Sequence, residues 1–403
     1  MTKEQALLLE LIAYNITGEE ISGDVDGIDW ISLIKESISQ TVSLVAFDSV
    51  TPFKEKINKD IYNKWFNRSF KDMTINSLVE KSQKNLVTLL KNKNYEYVIL
   101  KGLSASSYYN KPELRLLGDV DFLIENEKKE EIKEYLKANG YVASLEDHIC
   151  HIVFNKPKEH LEMHFEIAGI PDGAIGDKVR LFMQGVLNEP EAVTTGSGFN
   201  APKEKYHAVI LLLHMQHHLL GEGIGLRHLM DWACFVNRTY NKDFWKTDVI
   251  PFLKEIGLLA YMNAVTAVCI RYFKIPAPIW AEAVEESLTE ALIEDILSGG
   301  NFGRKDKLRS ESGIMISNRG KDGTKKSKIY YLHKHLKNSV ENTYPFVKKC
   351  KILFPFAYFY RMARYFVLSC FGKRTSFAKT VPLADKRRAL YNKLHIYEVQ
   401  NNE

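Results

Sequence analysis

The sequence predicts an α+β fold, a small mixed sheet flanked by helical regions on its N-terminal and C-terminal sides. Three observations carry this reading. Apolar residues recur at three-and-four spacing within residues 1–93, in Leu7-Leu8-Leu9-Glu10-Leu11-Ile12 and again from Trp30 through Phe47. Residues 94–200 instead hold short runs that suit strands, one of them with clear period-2 alternation, separated by turn residues. From about Pro202 the chain becomes helical again. The organisation is therefore an N-terminal helical region (1–93), an α/β core (94–200) and a C-terminal helical region (201–403).

Taken in order, the first zone closes with a helix over about Ser77–Lys91, stopped by Asn92-Lys93-Asn94. A strand, Tyr95–Leu100, runs into Lys101-Gly102 and a small-residue helical stretch from Ser104 to Ser107. After Arg115 and Gly118 comes Asp119-Val120-Asp121-Phe122-Leu123-Ile124, whose apolar run reads as a buried strand. A charged helix, Lys128–Asn139, ends at Gly140 as its C-cap. Short strands follow near Tyr141–Ser144, His151–Phe154 and Leu161–Ile167, with Asn155-Lys156-Pro157-Lys158 as the turn between the last two. The next helix, His207–Leu220, carries His214, His217 and His218. Gly221–Gly225 breaks it before Leu226-Arg227-His228-Leu229-Met230-Asp231-Trp232.

Asp119 and Asp121 are the most informative pair. Alternate strand residues share a face and sit roughly 6.5–7 Å apart at the backbone, so both carboxylates point the same way and can converge on one ion. Without a cation the two charges repel and one pKa rises. Paired aspartates are also ordinary turn and N-cap residues, and the preceding segment decides between the two readings. Strand, glycine turn, helix, glycine and Asp-x-Asp strand is the order expected where a triphosphate is held against metal-bound carboxylates. Glycine lets the backbone approach phosphates, and Mg²⁺ is a typical partner of such acids.

Lys101-Gly102, then Tyr109, Pro112 and Arg115, then Gly118-Asp119-Val120-Asp121 resembles the nucleotidyltransferase superfamily of the DNA polymerase β type. More narrowly, it is similar to a large bacterial group of uncharacterised nucleotidyltransferases, over about a quarter of the chain. Asp119-Val120-Asp121-Phe122 fits the second half of the superfamily pattern. The first half departs, with Leu103 where Gly or Ser is usual and a longer spacer, so Lys101 and Ser104 are expected to stand in at the triphosphate. The resemblance implies a nucleotidyltransferase core, an NTP donor, and Mg²⁺ or Mn²⁺ on Asp119, Asp121 and a third carboxylate. In His160–Ile167, alternation places Leu161, Met163, Phe165 and Ile167 on one face and Glu162, His164 and Glu166 on the other. The resemblance favours Glu162 as the third acid, with His164 beside it and Glu166 as the competitor. It further implies nucleotide contacts from Lys101, Gly102, Ser104, Arg115 and Gly118. His214, His218, Arg227 and Asp231 would shape the acceptor side.

His214 and His218 lie four apart on one helical face, which raises metal ligation. No Glu follows the first His as in zinc proteases, and buried histidines bonded to backbone or Asp231 are the plainer expectation. Residues 300–328, rich in Gly, Ser, Lys and Arg, read as a basic loop: a solvated excursion, or a lid or contact to an anionic substrate. Residues 344–374 interleave aromatics with Lys and Arg. Helix packing is the expected role of such dense aromatics, with peripheral membrane contact as the alternative.

Composition bounds the rest. A 403-residue chain with a net charge of +5 has ample material for cores and no strong basic footprint, which disfavours long nucleic acid. Five scattered cysteines argue against a zinc site or a disulfide framework and suit a reducing compartment. Tyr206–Gly221 and Ile256–Ile270 fall short of the roughly 20 apolar residues of a spanning helix, and a cytoplasmic location is expected. The best reading is an Mg²⁺-dependent transfer of NMP from an NTP to a hydroxyl of a small molecule, glycan or protein. A catalytically idle fold that binds nucleotide or a partner, and a hydrolase built on the histidines, are the alternatives.

Overall fold

The computed structural model describes residues 1–398 apart from 22–24, 147, 195–197, 307, 310–336, 338–339, 341–342, 345–346, 348–350 and 371–376. Four helices open the chain: α1 (Lys3–Thr17), α2 (Trp30–Ser39), α3 (Ser43–Ser49) and α4 (Lys59–Asn92). Local chemistry sets their ends. Thr2 and Gln5 close a capping box on α1, and Asp29 accepts from the Ile31 and Ser32 amides at the start of α2.

The expected helix through Trp30–Phe47 is two helices, broken at Gln40-Thr41, where Thr41 adopts φ +56°. The break has a tertiary cause. The Gln40 amide donates to the Leu297 carbonyl and accepts from the Leu226 amide, docking the corner onto the C-terminal helices. The last helix of this zone is longer than expected, running over 34 residues. Its first half hid its periodicity because the buried positions include Ser69, Asp72 and Asn76, while Phe66, Phe70 and Met73 are exposed.

The core sheet has the order β1-β2-β5-β4-β3, made of β1 (Tyr97–Ile99), β2 (Val120–Ile124), β3 (Val142–Ser144), β4 (His151–Lys156) and β5 (Glu159–His164). β2 and β5 run parallel and the other neighbours antiparallel, so the sheet is mixed, as expected. Between these strands lie the one-turn helix α5 (Leu103–Ser106) and the helix α6 (Lys129–Ala138). One face of the sheet (Ile99, Val120, Phe122, Ile124, Leu161, Met163) packs on Leu86, Val87 and Leu90 of α4 and Ile132 and Leu136 of α6. The opposite face carries Asp121, Glu162 and His164, because a period of two sends alternate side chains to opposite faces.

A second hairpin, β6 (Glu191–Val193) with β7 (Phe199–Ala201), follows α7 (Ala174–Met183) and α8 (Gly185–Asn188). The C-terminal zone holds α9 (Glu204–Leu220), α10 (Leu226–Thr239), α11 (Ile250–Ile256), α12 (Leu259–Phe273), α13 (Glu286–Gly299), α14 (Phe354–Cys370) and α15 (Phe377–Asn392). Its core is continuous with the N-terminal helices: Leu8, Leu11 and Ile12 share one cluster with Trp232, Met262 and Val265. Burial of this apolar surface, at roughly 25 cal/mol per Å², joins the two ends of the chain into one helical body.

Among the described residues no single helix is long and apolar enough to cross a membrane. The aromatic-basic segment is only partly packed. Phe354 and Tyr358 lie against Val340, Val347 and Ala357, whereas Phe356, Phe359 and Tyr360 on α14 are exposed. Of the basic loop, Lys325-Lys326-Ser327-Lys328 lies outside the described residues. Arg309 is no solvated loop residue, since it is buried and paired to Asp295.

Candidate active site

The parallel register of β2 and β5 sets Asp121 directly opposite Glu162. Asp119 enters from the strand's leading edge on the same face as Asp121, and it lies within 4.8 Å of Glu162 and His160 by their ligand atoms. Asp119 and Glu162 thus converge with His160, while Asp121 lies on the same face, bound to Lys101 and His164. Lys101, two residues past the end of β1, reaches the same spot, its Nζ 2.8 Å from Asp121 Oδ1. His164 Nε2 lies 2.9 Å from the same oxygen and 3.5 Å from Glu162 Oε2. Gly102 turns the chain away with φ +62°, a conformation few side chains tolerate.

Charge is not balanced here. Burial raises the cost of ionising Asp121, but Lys101 and the hydrogen bond from His164 outweigh it and hold its carboxyl well below the usual range. Burial disfavours the charged forms of Lys101 and His164 as well. Asp121 and Asp119 overcome this for the lysine, and Asp121 and Glu162 overcome it for the imidazole, so both pKa values rise. Burial likewise pushes Glu162 up, and the His164 hydrogen bond more than offsets it. Asp119 is the acid left over: the charge of Asp121 and then burial raise its pKa. Three carboxylates share one lysine and the His164 ring, which leaves the negative excess at Asp119. That excess, on convergent oxygens, suits a hard divalent cation such as Mg²⁺ or Mn²⁺.

Above this floor opens a cleft of about 510 Å³. One wall comes from Arg68, Asp72 and Ile75 of α4. The opposite wall comes from His214, His218 and Glu222 at the end of α9, Arg227 of α10, and Asn301, Phe302 and Arg304 beyond α13. Gly102 and Gly118 line it as well, so most residues singled out from the sequence meet at one place. The Arg227 guanidinium donates to the Leu116 carbonyl at 3.2 Å, yet its buried Nε has no partner. Burial and the neighbouring Arg115 charge lower its pKa. A cation so placed, facing the cleft, is suited to an anionic ligand.

Other expected residues are placed differently. The Ser104 hydroxyl donates to the Ile99 carbonyl and is buried, which ties down the turn. Arg115 is committed to Asp231 through a buried two-pronged contact, Nε to Oδ1 and Nη2 to Oδ2, both at 2.8 Å. Glu166 pairs with Arg180 and lies outside the cleft lining. His214 and His218 face each other Nε2 to Nε2 at 3.1 Å, and among the described residues they belong to no group of three ligands that could hold a metal.

Several lining residues carried no local sequence signal. Arg68 and Asp72 sit on a helix whose first half looked polar. Phe302 and Arg304 arrive from the basic 300–328 segment, whose alternative reading, a contact to an anionic substrate, fits the place of Arg304 in the cleft lining. His160 was legible from the alternation of β5, whereas His151 needed the β4–β5 register, which sets it opposite His164. Asn76 has a distinct role: its amide donates to the Glu113 and Arg115 carbonyls and accepts from the Leu117 amide, fixing the loop that delivers Asp119.

No curated protein matches this chain. A family model described as uncharacterised nucleotidyltransferase matches residues 26–274. The match spans more than half of the chain and takes in the sheet, the acidic floor and most of both cleft walls, and the protein belongs to that nucleotidyltransferase family.

Proposed function

We propose that the protein transfers a nucleoside monophosphate from an NTP to a hydroxyl-bearing acceptor, with pyrophosphate as the leaving group. The observation that carries this is that Asp119, Asp121 and Glu162 all line the floor of one cleft, the oxygens of Asp119 and Glu162 within 4.8 Å of each other and Asp121 opposite Glu162 in register, where Lys101 and Arg227 are also presented. Asp119, Asp121 and Glu162 are the residues that would hold Mg²⁺ or Mn²⁺, which when bound polarises the α-phosphate and the attacking hydroxyl. Lys101 and Arg227 supply fixed positive charge to the phosphates in a site partly shielded from water, where such charge acts strongly. The acceptor oxygen loses its proton to Glu162 and bonds to the α-phosphorus, and the bond to the bridging oxygen of the pyrophosphate breaks. The opposite wall, with His214, His218 and Phe302, belongs to the acceptor: a small molecule, a glycan or a protein side chain.

Incubation with each α-labelled NTP, Mg²⁺ or Mn²⁺ and a metabolite extract, with the protein itself scored as an acceptor, tests the reading. Transferred label that disappears in Asp119→Asn is expected. NTP binding with no transfer under any condition overturns it in favour of a catalytically idle nucleotide-binding fold. The exposed Phe356, Phe359 and Tyr360 beside the exposed Arg364 on α14 support a peripheral contact with an anionic membrane surface, checked by co-sedimentation with anionic against neutral vesicles.

A further inference from the structure

The open face of the sheet continues past the carboxylates. On β4, His151 stands opposite His164 in the antiparallel register, with ring centroids 5.1 Å apart. His151, Glu162 and His164 each offer one ligand atom, and these three atoms lie within 4.8 Å of one another. His164 Nε2 is taken by Asp121 Oδ1 at 2.9 Å, which leaves Nδ1 as the nitrogen that this ring can offer to an ion.

Two further facts point to a ligand. His164 is 2 % exposed, and its Nδ1 is buried with no hydrogen-bond partner. His151 Nδ1 is likewise buried and unpartnered. An unpartnered buried nitrogen calls for an explanation, and a bound ion supplies one for two such atoms beside one carboxylate.

We propose that His151, Glu162 and His164 form a second cation site that adjoins the Asp119–Asp121 site and shares Glu162 with it. Two nitrogens and one carboxylate suit a borderline-soft divalent ion such as Zn²⁺ or Co²⁺ in preference to Mg²⁺, which takes oxygen ligands. Three protein ligands leave a coordination position for water or a ligand from the cleft, the pattern of an exchangeable site in place of a closed structural one. His148, exposed and 4.0 Å from the His151 ring, flanks the solvent side. The site does not depend on nucleotide transfer, and its test needs none.

The full chain is titrated with Co²⁺ in the absence of nucleotide, following visible d–d absorption, with Mn²⁺ pulsed EPR as the second measurement. A Co²⁺ absorption band of low coordination number is expected, together with ¹⁴N coupling in the Mn²⁺ spectra. His151→Ala and His151→Gln are expected to weaken Co²⁺ binding at least as much as the about 10–100-fold that loss of an outer-shell partner costs, and to abolish the band. Asp119→Asn is expected to keep it. The proposal is overturned by an octahedral, nitrogen-free spectrum in the wild type, by an undiminished band in a folded His151→Gln protein, or by loss of the band in Asp119→Asn. Failure of label transfer with an intact Co²⁺ band would instead count against the transferase reading alone.

Discussion

Arg115 and Asp231 stand 116 positions apart in the chain and meet as a buried, bidentate ion pair, with the Tyr109 hydroxyl donating to the same carboxylate at 2.6 Å. The pair ties the loop that leads into the Asp-x-Asp strand to α10, and so sets the sheet against the C-terminal helices. Removing one partner strands a buried charge, which costs about 3–5 kcal/mol. Asp231→Asn and Arg115→Met are each expected to lower denaturant stability by this order, whereas the double replacement Arg115→Met with Asp231→Leu recovers most of it. A loss in the double variant equal to the sum of the two single losses, measured by urea unfolding, would show that the pair is not coupled.

The two aspartates of the motif differ in what they do for the folded state. Asp121 holds Lys101 and His164, so Asp121→Asn leaves the lysine without its partner and is expected to destabilise the metal-free protein strongly. Asp119 is repelled by its neighbour, and Asp119→Asn relieves that repulsion. Melting curves without divalent ions should therefore place Asp119→Asn at or above the wild type and Asp121→Asn well below it. Added Mg²⁺ with NTP should raise the wild-type midpoint and leave Asp119→Asn unmoved.

Arg227 is charged, largely enclosed and without an acidic partner among the described residues. Arg227→Met is expected to leave the ligand-free protein as stable as before or more so. Its affinity for NTP should fall roughly 10–150-fold, the equivalent of about 1.5–3 kcal/mol for hydrogen bonds to a charged group. Isothermal titration with a non-hydrolysable NTP reads this directly, and unchanged affinity would remove Arg227 from the phosphate site.

Acidification should weaken the fold before carboxylates titrate. Burial pushes the His207 pKa down to about 3, against about 6.5 in the unfolded chain. The unfolded state therefore takes up a proton that the native state refuses. This contribution is fully present above pH 6.5 and is lost as pH falls below it, by about 1.4 kcal/mol per unit. The ring lies edge-on to Tyr108 and beside Phe235, so His207→Phe should preserve packing. Between pH 7 and 5 the wild type is expected to lose about 2 kcal/mol more stability than His207→Phe, a difference open to urea titration at each pH.

What the sequence made legible was local. Asp119 and Asp121 announce themselves through alternation on a strand, Lys101 and Gly102 through a turn at a strand exit, and Glu162 only once the family resemblance singles it out from the polar face it shares with His164 and Glu166. The pairing that turns these residues into a site is not local. Arg115, which lines the cleft, reads as a phosphate ligand, and only the fold shows that Asp231, far along the chain, pairs with its guanidinium. His151 looks like a strand start until antiparallel register sets it opposite His164. The aromatics of 344–374 look like core by density alone, yet Phe356 and Phe359 face outward, because density does not say which side of a helix is covered. The first half of α4 misled for the reverse reason, with polar residues inside and apolar ones outside.

That helix has a mechanical consequence. At 1.5 Å per residue its 34 residues make a rod of about 50 Å. One end buries Trp65 against Phe47 of α3, the middle lines the cleft with Arg68 and Asp72, and the far end lies under the sheet through Leu86 and Leu90. A single unbroken girder thus crosses from the helical body to the sheet that carries the carboxylates. The two cannot swing apart like the leaves of a hinge without bending it. The work of admitting and gripping a ligand accordingly falls on the shorter pieces at the rim, the stretch around Phe302 and Arg304 foremost.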